Sequence, residues 1–291
     1  MKPAAHERHG SAISRDGGHR SEGSTAGPRP LSRAVSPGLP RSEFWTDRTV
    51  AWYARAVERG DYAARVIGVL EPLLAECHDA LDVGAGCGAL ALPLARRLAA
   101  VTALEPTAAM ARAIRARAAG AGVTTVTVVE AAWGETPVAP HDLVLCAHVG
   151  GLLSGSSPFL SDVGRIARRW IVLVRDAPAA PREDKFFFSE LYPALLGRPY
   201  LHRCDAEDTL AALGRLGIEP SVTMIEYASD QPFTDLEEAC DFWMTYLGLE
   251  SDGPRAYLRD FLRERLVRQG GEWIAPFRKT AAVITWRPGP A

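Results

Sequence analysis

Short apolar runs alternate with longer amphipathic stretches along most of this chain. The runs are rich in Val, Ile, Leu and Ala and are bounded by turn-forming or acidic residues, which is typical of buried strands. The run at 123–129 is β-branched almost throughout, as a strand prefers. We therefore predict seven strands, at 80–83, 101–104, 123–129, 141–149, 170–174, 221–227 and 279–286.

Helical spacing of apolar residues fills the intervals between these strands. Leu90, Leu94 and Leu98 recur every fourth residue after the first strand, and the helix at 107–119 is closed by Gly120. Further helices are predicted at 50–59, 62–75, 162–169 and 205–216. Before the last strand, a capping box at 234–237 begins one helix and the Gly-Pro pair at 253–254 begins another.

Composition divides the chain into parts. Residues 1–43 are dominated by Gly, Ser, Pro, Arg and His and lack aromatic residues, so we predict a disordered tail. The predicted parts that follow are an N-terminal helical lid at 44–77, a core at 78–230, a helical insert at 231–275 and the last strand with the chain end at 276–291. Within the core, the aromatic-rich segment 182–203 either caps a substrate pocket or forms a contact in a homodimer.

Charge and cysteine content narrow the classes of function. The tail carries a net charge of about +3 and the rest of the chain about −5, which is unfavourable for binding nucleic acid. The five cysteines are odd in number and contain no Cys-x-x-Cys pair, so we expect reduced thiols and a cytoplasmic protein. No apolar run approaches the ~20 residues of a membrane span, and no cluster has metal-ligand spacing.

A glycine-rich turn joins the first strand to the helix behind it. Gly84, Gly86 and Gly88 follow Asp82 in the sequence Asp-Val-Gly-Ala-Gly-Cys-Gly. A helix that starts after such a turn presents unpaired N–H groups to a polar or charged ligand. The turn fits two forms, the Gly-x-Gly-x-x-Ala of dinucleotide-binding proteins and a Gly-x-Gly-x-Gly form. Asp82 favours the second, because a carboxylate repels a pyrophosphate and attracts a cationic ligand.

The segment around this turn resembles motif I of class I S-adenosylmethionine (SAM) methyltransferases, hydrophobic-Asp-x-Gly-x-Gly-x-Gly. The resemblance is strongest over 81–149 and points to the small-molecule branch called methyltransferase type 11 or 12. It implies an α/β, Rossmann-like fold with a seven-stranded sheet of order 3-2-1-4-5-7-6, the last strand antiparallel, and helices on both faces. It also implies SAM as cofactor, S-adenosylhomocysteine as product and a small, partly apolar methyl acceptor.

The resemblance assigns cofactor-binding roles to residues at the strand ends. Glu105 ends the second strand 17 residues beyond Gly88, where a carboxylate can accept the ribose hydroxyls. Ala132 and Trp133 follow the third strand, where relatives surround the adenine ring; packing alone is the alternative role for Trp133. The full set of expected cofactor residues is Asp82, Gly84, Ala85, Gly86, Gly88, Glu105, Pro106, Ala132, Trp133 and Cys146.

The sequence indicates the residues around the methyl acceptor less clearly than those around the cofactor. His148 lies at the carboxyl end of the fourth strand, which the resemblance places beside the methyl group, and is the first candidate for a general base; a structural role in the loop is the alternative. Tyr53 is the second candidate. Aromatic residues expected at the lid or the substrate pocket are Trp45, Trp52, Tyr53, Phe187, Tyr192 and Trp243, and packing of the helices is their alternative role.

Two other classes of function stay open. A nicotinamide-dependent oxidoreductase is compatible with the glycine turn and Glu105, although no catalytic Tyr/Lys or His/Asp pair can be identified from the sequence. A non-catalytic SAM-binding regulator is the other alternative. A DNA methyltransferase is disfavoured, because the chain has neither an Asn/Asp-Pro-Pro-aromatic loop nor a Pro-Cys nucleophile.

Overall fold

The seven apolar runs form the strands of one sheet. The computed structural model describes residues 44–155, 157–177, 184–201 and 205–289. Its strands are β1 (Asp79–Val83), β2 (Ala100–Leu104), β3 (Val126–Val129), β4 (His141–Ala147), β5 (Ala167–Asp176), β6 (Ser221–Ala228), β7 (Gln231–Phe233), β8 (Val267–Gln269), β9 (Glu272–Ala275) and β10 (Arg278–Trp286). The main sheet has the order β3-β2-β1-β4-β5-β10-β6, and β10 runs antiparallel to both of its neighbours. The order 3-2-1-4-5-7-6 is thereby confirmed, with β10 as the seventh strand of this sheet.

Helices cover both faces of the sheet because successive strand residues point to opposite sides. The helices are α1 (Asp47–Arg59), α2 (Tyr62–Leu74), α3 (Ala91–Ala95), α4 (Ala108–Gly120), α5 (Phe159–Asp162), α6 (Phe188–Leu191), α7 (Asp205–Arg215), α8 (Leu236–Leu247) and α9 (Asp252–Arg265). One face packs against α2, α3 and α4, and the other packs against α5 and α7. None of the helices described is long and apolar enough to cross a membrane.

Three local predictions were wrong. In place of the expected helix at 162–169, the α-helix ends at Asp162, a 3-10 turn follows at Val163–Arg165, and β5 begins at Ala167 because it pairs with β4 from His141 onward. The helix expected at 89–98 is reduced to Ala91–Ala95, with turns on either side. The capping box is displaced by one residue: the Asp235 side chain accepts from the N–H of Glu238, whose carboxylate accepts from the N–H of Thr234.

The segment between β6 and β10 contains more than the two expected helices. Its strands β7, β9 and β8 form a separate three-stranded antiparallel sheet. Helices α8 and α9 pack together, and their buried faces join aromatic residues from 186–200 in one apolar cluster. The segment predicted as a helical insert therefore also contains a small sheet, and its apolar cluster is shared with Trp52 of α1 and with residues from 186–200. The expected disordered tail lies outside the described residues.

Helix α1 connects this insert to the main sheet. Arg48 and Arg55 form ion pairs with Asp241 and Glu238 of α8. On the opposite side, Asp47 pairs with Arg112 of α4 at 2.5 Å. Together the ion pairs hold α1 between the insert and the core. The role of α1 as a lid stays a prediction.

Trp52 is the main apolar contact between α1 and the insert. Its side chain is 1% exposed, its ring lies 5.5 Å from that of Phe242, and its Nε1 donates to Glu238 Oε1 at 3.0 Å. Because Trp52→Ala leaves a large cavity and removes one hydrogen bond to Glu238, we expect the free energy of unfolding to fall by about 3–5 kcal/mol. Equilibrium unfolding in urea measures this. The exposed Tyr257→Ala should change stability by less than about 0.5 kcal/mol, and equal losses in both variants would contradict the assignment.

Candidate active site

The glycine turn lies against the end of β2. Gly84, Gly86 and Gly88 have φ angles of 71°, 58° and 80°, in the left-handed region that only glycine adopts without strain. The N–H groups of Gly84 and Ala85 donate to the carbonyl of Leu104 at 2.8 and 3.2 Å. A Cβ atom at Gly84 would come within 2.4 Å of Val149 Cγ2. The turn can therefore follow this path only without a side chain at Gly84.

Glu105 holds the glycine turn in place by accepting backbone hydrogen bonds. Its Oε2 accepts from the N–H of Gly86 at 2.8 Å and its Oε1 accepts from the N–H of Thr107 at 2.9 Å. The side chain is buried, yet it lines the cavity above the sheet. Each carboxylate oxygen can accept a second hydrogen bond. Glu105 thus stabilises the glycine turn and still presents acceptor positions to a ligand.

Asp82 is buried beneath the same turn. Asp82 is 2% exposed and does not line the cavity. Burial, followed by the charge of Glu105, raises the pKa of Asp82 to about 7, although a hydrogen bond from the backbone of Ala91 acts in the opposite direction. A carboxyl group with this pKa changes charge readily near neutral pH when a cation approaches.

One cavity extends from the glycine turn to the insert. Its volume is about 1700 Å³. The residues expected from the sequence that line it are Trp45, Tyr53, Gly84, Gly86, Glu105, Pro106, Ala132, Trp133, His148 and Tyr192. The structure therefore gathers most of the expected cofactor residues and the candidate base around a single space.

The other expected residues lie behind the cavity wall. Trp52 and Trp243 are fully buried in the insert's apolar cluster, and the ring of Phe187 stacks on that of Trp243 at 5.8 Å. These three aromatic side chains pack the insert and do not line the pocket. Four of the expected cofactor residues do not line the cavity either: Asp82, Ala85, Gly88 and Cys146.

The loop after β3 differs in detail from the expected adenine site. The N–H of Ala132, a residue expected beside the adenine ring, donates to Glu135 Oε2 at 2.7 Å. The indole of Trp133 lies edge-on to Phe159, with ring centroids 4.9 Å apart, and also lines the cavity. Trp133 thus combines the packing role with a position beside the cavity.

His148 also lines the cavity and directly follows β4. Its φ of 57° is unusual for a residue other than glycine, and its N–H donates to the carbonyl of Val174 at 2.9 Å. Its Nδ1 lies 3.4 Å from Asp176 Oδ1, and its ring lies 5.5 Å from that of Tyr62. The histidine is therefore held by the backbone, a carboxylate and an aromatic ring.

Sequence reasoning missed several side chains beside His148. Asp176 ends β5, which is adjacent to β4, and Lys279 of β10 places its Nζ 3.9 Å from Asp176 Oδ1. Tyr62 and Tyr227 line the same region, and burial raises the pKa of Tyr62 well above its ordinary value. Only Asp176 could have been found from the sequence, because parallel neighbouring strands end at one edge of the sheet.

Comparison with known proteins gives one family match and several similar solved structures. Residues 80–168 match a family model described as a methyltransferase domain. Among solved structures, a proposed methyltransferase from Bacillus halodurans is 18% identical over 79% of this chain and 100% of its own, with a TM-score of 0.49. Magnesium protoporphyrin IX methyltransferase from Synechocystis, solved with S-adenosylhomocysteine, is 16% identical over 77% of this chain and 82% of its own, with a TM-score of 0.43. No curated protein sequence matches the chain.

The family match begins in β1 and ends at the start of β5. It therefore includes the glycine turn, Glu105 and His148. The observed strand order, with its antiparallel seventh strand, is the one implied by the sequence resemblance. Residues 80–168 are accordingly similar to a methyltransferase domain.

Proposed function

We propose that this protein transfers the methyl group of SAM to a small-molecule acceptor and that His148 removes a proton from that acceptor. The observation that carries the proposal is that a single cavity of about 1700 Å³ is lined by both the glycine turn and His148. Sites for one small molecule usually measure about 300–1,000 Å³. The cavity is therefore large enough to hold cofactor and acceptor side by side.

The residues around the glycine turn fit SAM. The absence of side chains at Gly84 and Gly86 exposes backbone to the cavity, and the carboxylate of Glu105 is suited to ribose hydroxyls. Trp133 offers an apolar ring surface for adenine. The buried carboxyl of Asp82 favours a cationic ligand, whereas it would oppose a pyrophosphate.

The protein's own contribution to the reaction is alignment, exclusion of water and proton transfer. SAM supplies an activated methyl group whose leaving sulfide needs no acid. Because Nδ1 of His148 faces Asp176 at 3.4 Å, Nε2 is the imidazole atom that would take the acceptor's proton. The carboxylate of Asp176 would stabilise the imidazolium that forms.

Binding experiments test the cofactor assignment first. Titration calorimetry with SAM, S-adenosylhomocysteine and NADH should give saturable binding for the first two ligands only. Binding of NADH in their place would support the oxidoreductase alternative. Binding of SAM without formation of S-adenosylhomocysteine across a broad acceptor panel would support the regulator alternative.

Asp82 provides a pH-dependent prediction. A cation bound nearby favours the charged carboxylate, so cofactor binding should lower the pKa of Asp82 from about 7. Binding then releases a proton, and SAM affinity rises as the pH increases toward 7. Calorimetry near pH 6.5, in two buffers of different ionisation enthalpy, counts the protons released. Asp82→Asn should abolish the release, and identical heats for the unaltered protein in both buffers would contradict the prediction.

A further inference from the structure

Aromatic rings surround the side of the cavity that lies beyond His148. We call this set the aromatic wall; its members are Tyr62, Phe186, Phe188, Tyr192, Tyr200 and Tyr227, and all of them line the cavity. They come from α2, from the segment 186–200 and from β6. Their rings contact one another, with centroids 4.9 Å apart for Tyr62 and Tyr227, 5.3 Å for Phe188 and Tyr192, and 4.9 Å for Tyr192 and Tyr200.

This wall favours a planar, apolar ligand. Aromatic rings gain from edge-on or offset contacts with other rings, beyond the gain from burial alone. Arg198 extends the same surface, with its guanidinium 5.5 Å from the ring centre of Tyr192. A chain-like or highly hydrated acceptor would leave these ring faces without a matching surface.

Three polar side chains stand at the end of the wall nearest the glycine turn. His148, Asp176 and Lys279 come from β4, β5 and β10, and their order is imidazole, carboxylate, ammonium. The Lys279 side chain is only 16% exposed. A cation with so little exposure acts strongly on any charge that forms beside it.

Tyr62 adds a hydroxyl to this group. Its oxygen is buried and has no hydrogen-bond partner within the part of the chain that the structure describes. Its ring packs on the imidazole of His148 and the ring of Tyr227. An acceptor oxygen placed beside His148 would provide a partner for this hydroxyl, which otherwise lies buried at a cost.

We propose that the acceptor is an aromatic molecule with an ionisable hydroxyl group and that methylation occurs on its oxygen. The proposal rests on the function proposed above. The hydroxyl proton passes to Nε2 of His148, and a lone pair of the oxygen forms the new O–C bond. The C–S bond breaks, and its electron pair stays on sulfur in neutral S-adenosylhomocysteine. Asp176 is a positioning residue for His148, and Lys279 stabilises the phenolate.

The charges discriminate between acceptor atoms. An aryl amine is uncharged near neutral pH and forms no anion that Lys279 could stabilise, whereas an oxyanion is attracted by the ammonium group. A carboxylic acid is already ionised near neutral pH, so it needs no base at His148. A hydroxyl on an aromatic ring needs His148 as a base, and its anion is stabilised by the ammonium group of Lys279. Its ring also fits against the aromatic wall.

Three coumarins that share one ring system test this inference. The probes are 7-hydroxycoumarin, 7-aminocoumarin and 7-methoxycoumarin, and the first is fluorescent in its anionic form. With protein saturated by S-adenosylhomocysteine, titration of the bound hydroxyl by fluorescence should show its pKa lowered by about 1–3, the effect of a close opposite charge. With SAM, the hydroxyl compound should yield the methoxy product, and the amine should not react.

Variants separate the roles of the two charged residues. Lys279→Met should remove most of the lowering of the bound hydroxyl's pKa. Asp176→Asn should keep or increase that lowering but reduce turnover by roughly 10-fold or more, because His148 loses its orienting partner. Arg268→Met removes a positive charge from β8, outside the cavity, and should leave both quantities unchanged.

The outcomes distinguish this inference from the proposed function. If S-adenosylhomocysteine binds but 7-hydroxycoumarin does not, or binds with an unchanged pKa, the acceptor class is wrong and the methyltransferase proposal stands. Faster methylation of 7-aminocoumarin than of 7-hydroxycoumarin would also overturn the proposed acceptor class. Failure of S-adenosylhomocysteine itself to bind would count against the proposed function.

Discussion

His148→Asn is expected to lower kcat by about 100- to 10,000-fold, the usual contribution of a general base. Asparagine is the informative replacement because it tolerates the positive φ of 57° at this position, and it cannot take up a proton. Alanine would add backbone strain to the loss of the imidazole. The rate of S-adenosylhomocysteine formation, with the best acceptor found, measures the effect.

The pH profile of this variant separates a base from a structural residue. As pH rises, an acceptor with an ionisable proton loses it to solvent, so the deficit of His148→Asn should shrink. SAM affinity should change little, since the residues proposed to bind the cofactor lie around the glycine turn. A deficit that is constant from pH 6 to pH 10 would show that His148 only orients the loop. A large loss of SAM affinity would indicate that the substitution disturbs the cofactor site instead.

Glu105→Gln is expected to weaken SAM binding by about 1–3 kcal/mol, or 5- to 150-fold. The side chain accepts backbone N–H groups with both oxygens, at 2.8 Å from Gly86 and 2.9 Å from Thr107. Glutamine has one oxygen, and its NH₂ group would face a second donor. The substitution therefore removes an acceptor for the ribose and also loosens the glycine turn.

Glu130→Gln is the matched control for this prediction. Glu130 follows β3 as Glu105 follows β2, but it is exposed, pairs with Arg115 and does not line the cavity. SAM affinity should be unchanged in Glu130→Gln. Calorimetry well below the unfolding temperature separates binding from stability. Equal affinities for the unaltered protein and Glu105→Gln would remove Glu105 from the cofactor site.

The cofactor half of the site was largely predictable from the sequence. The glycine turn needs residues without side chains at fixed spacing. A carboxylate at the end of the next strand must reach the same edge because parallel strands end together. The structure accordingly brings Gly84, Gly86 and Glu105 to one cavity. The position of His148 at this edge follows from the same rule.

The acceptor half was not predictable in the same way. Asp176, Lys279 and Tyr62 are separated from His148 by 28 or more residues in the sequence, and no motif joins them. Trp52 and Trp243 looked equally suited to a pocket and to a core, since an aromatic residue at helical spacing serves either purpose. Only the pairing of α1 with α8 places them in the core.

The order of the main sheet was implied by the resemblance to a known family. The sequence by itself determined the class of the fold and the location of the glycine turn. These features depend on local periodicity and on steric rules at single residues. Residues that are close together in the sequence therefore determine them. Tertiary structure alone decided where β5 begins, how β7, β8 and β9 form a second sheet, and which aromatic residues line the cavity. Those features depend on contacts between segments that are far apart in the sequence. No single stretch of the sequence determines the free energies of such contacts.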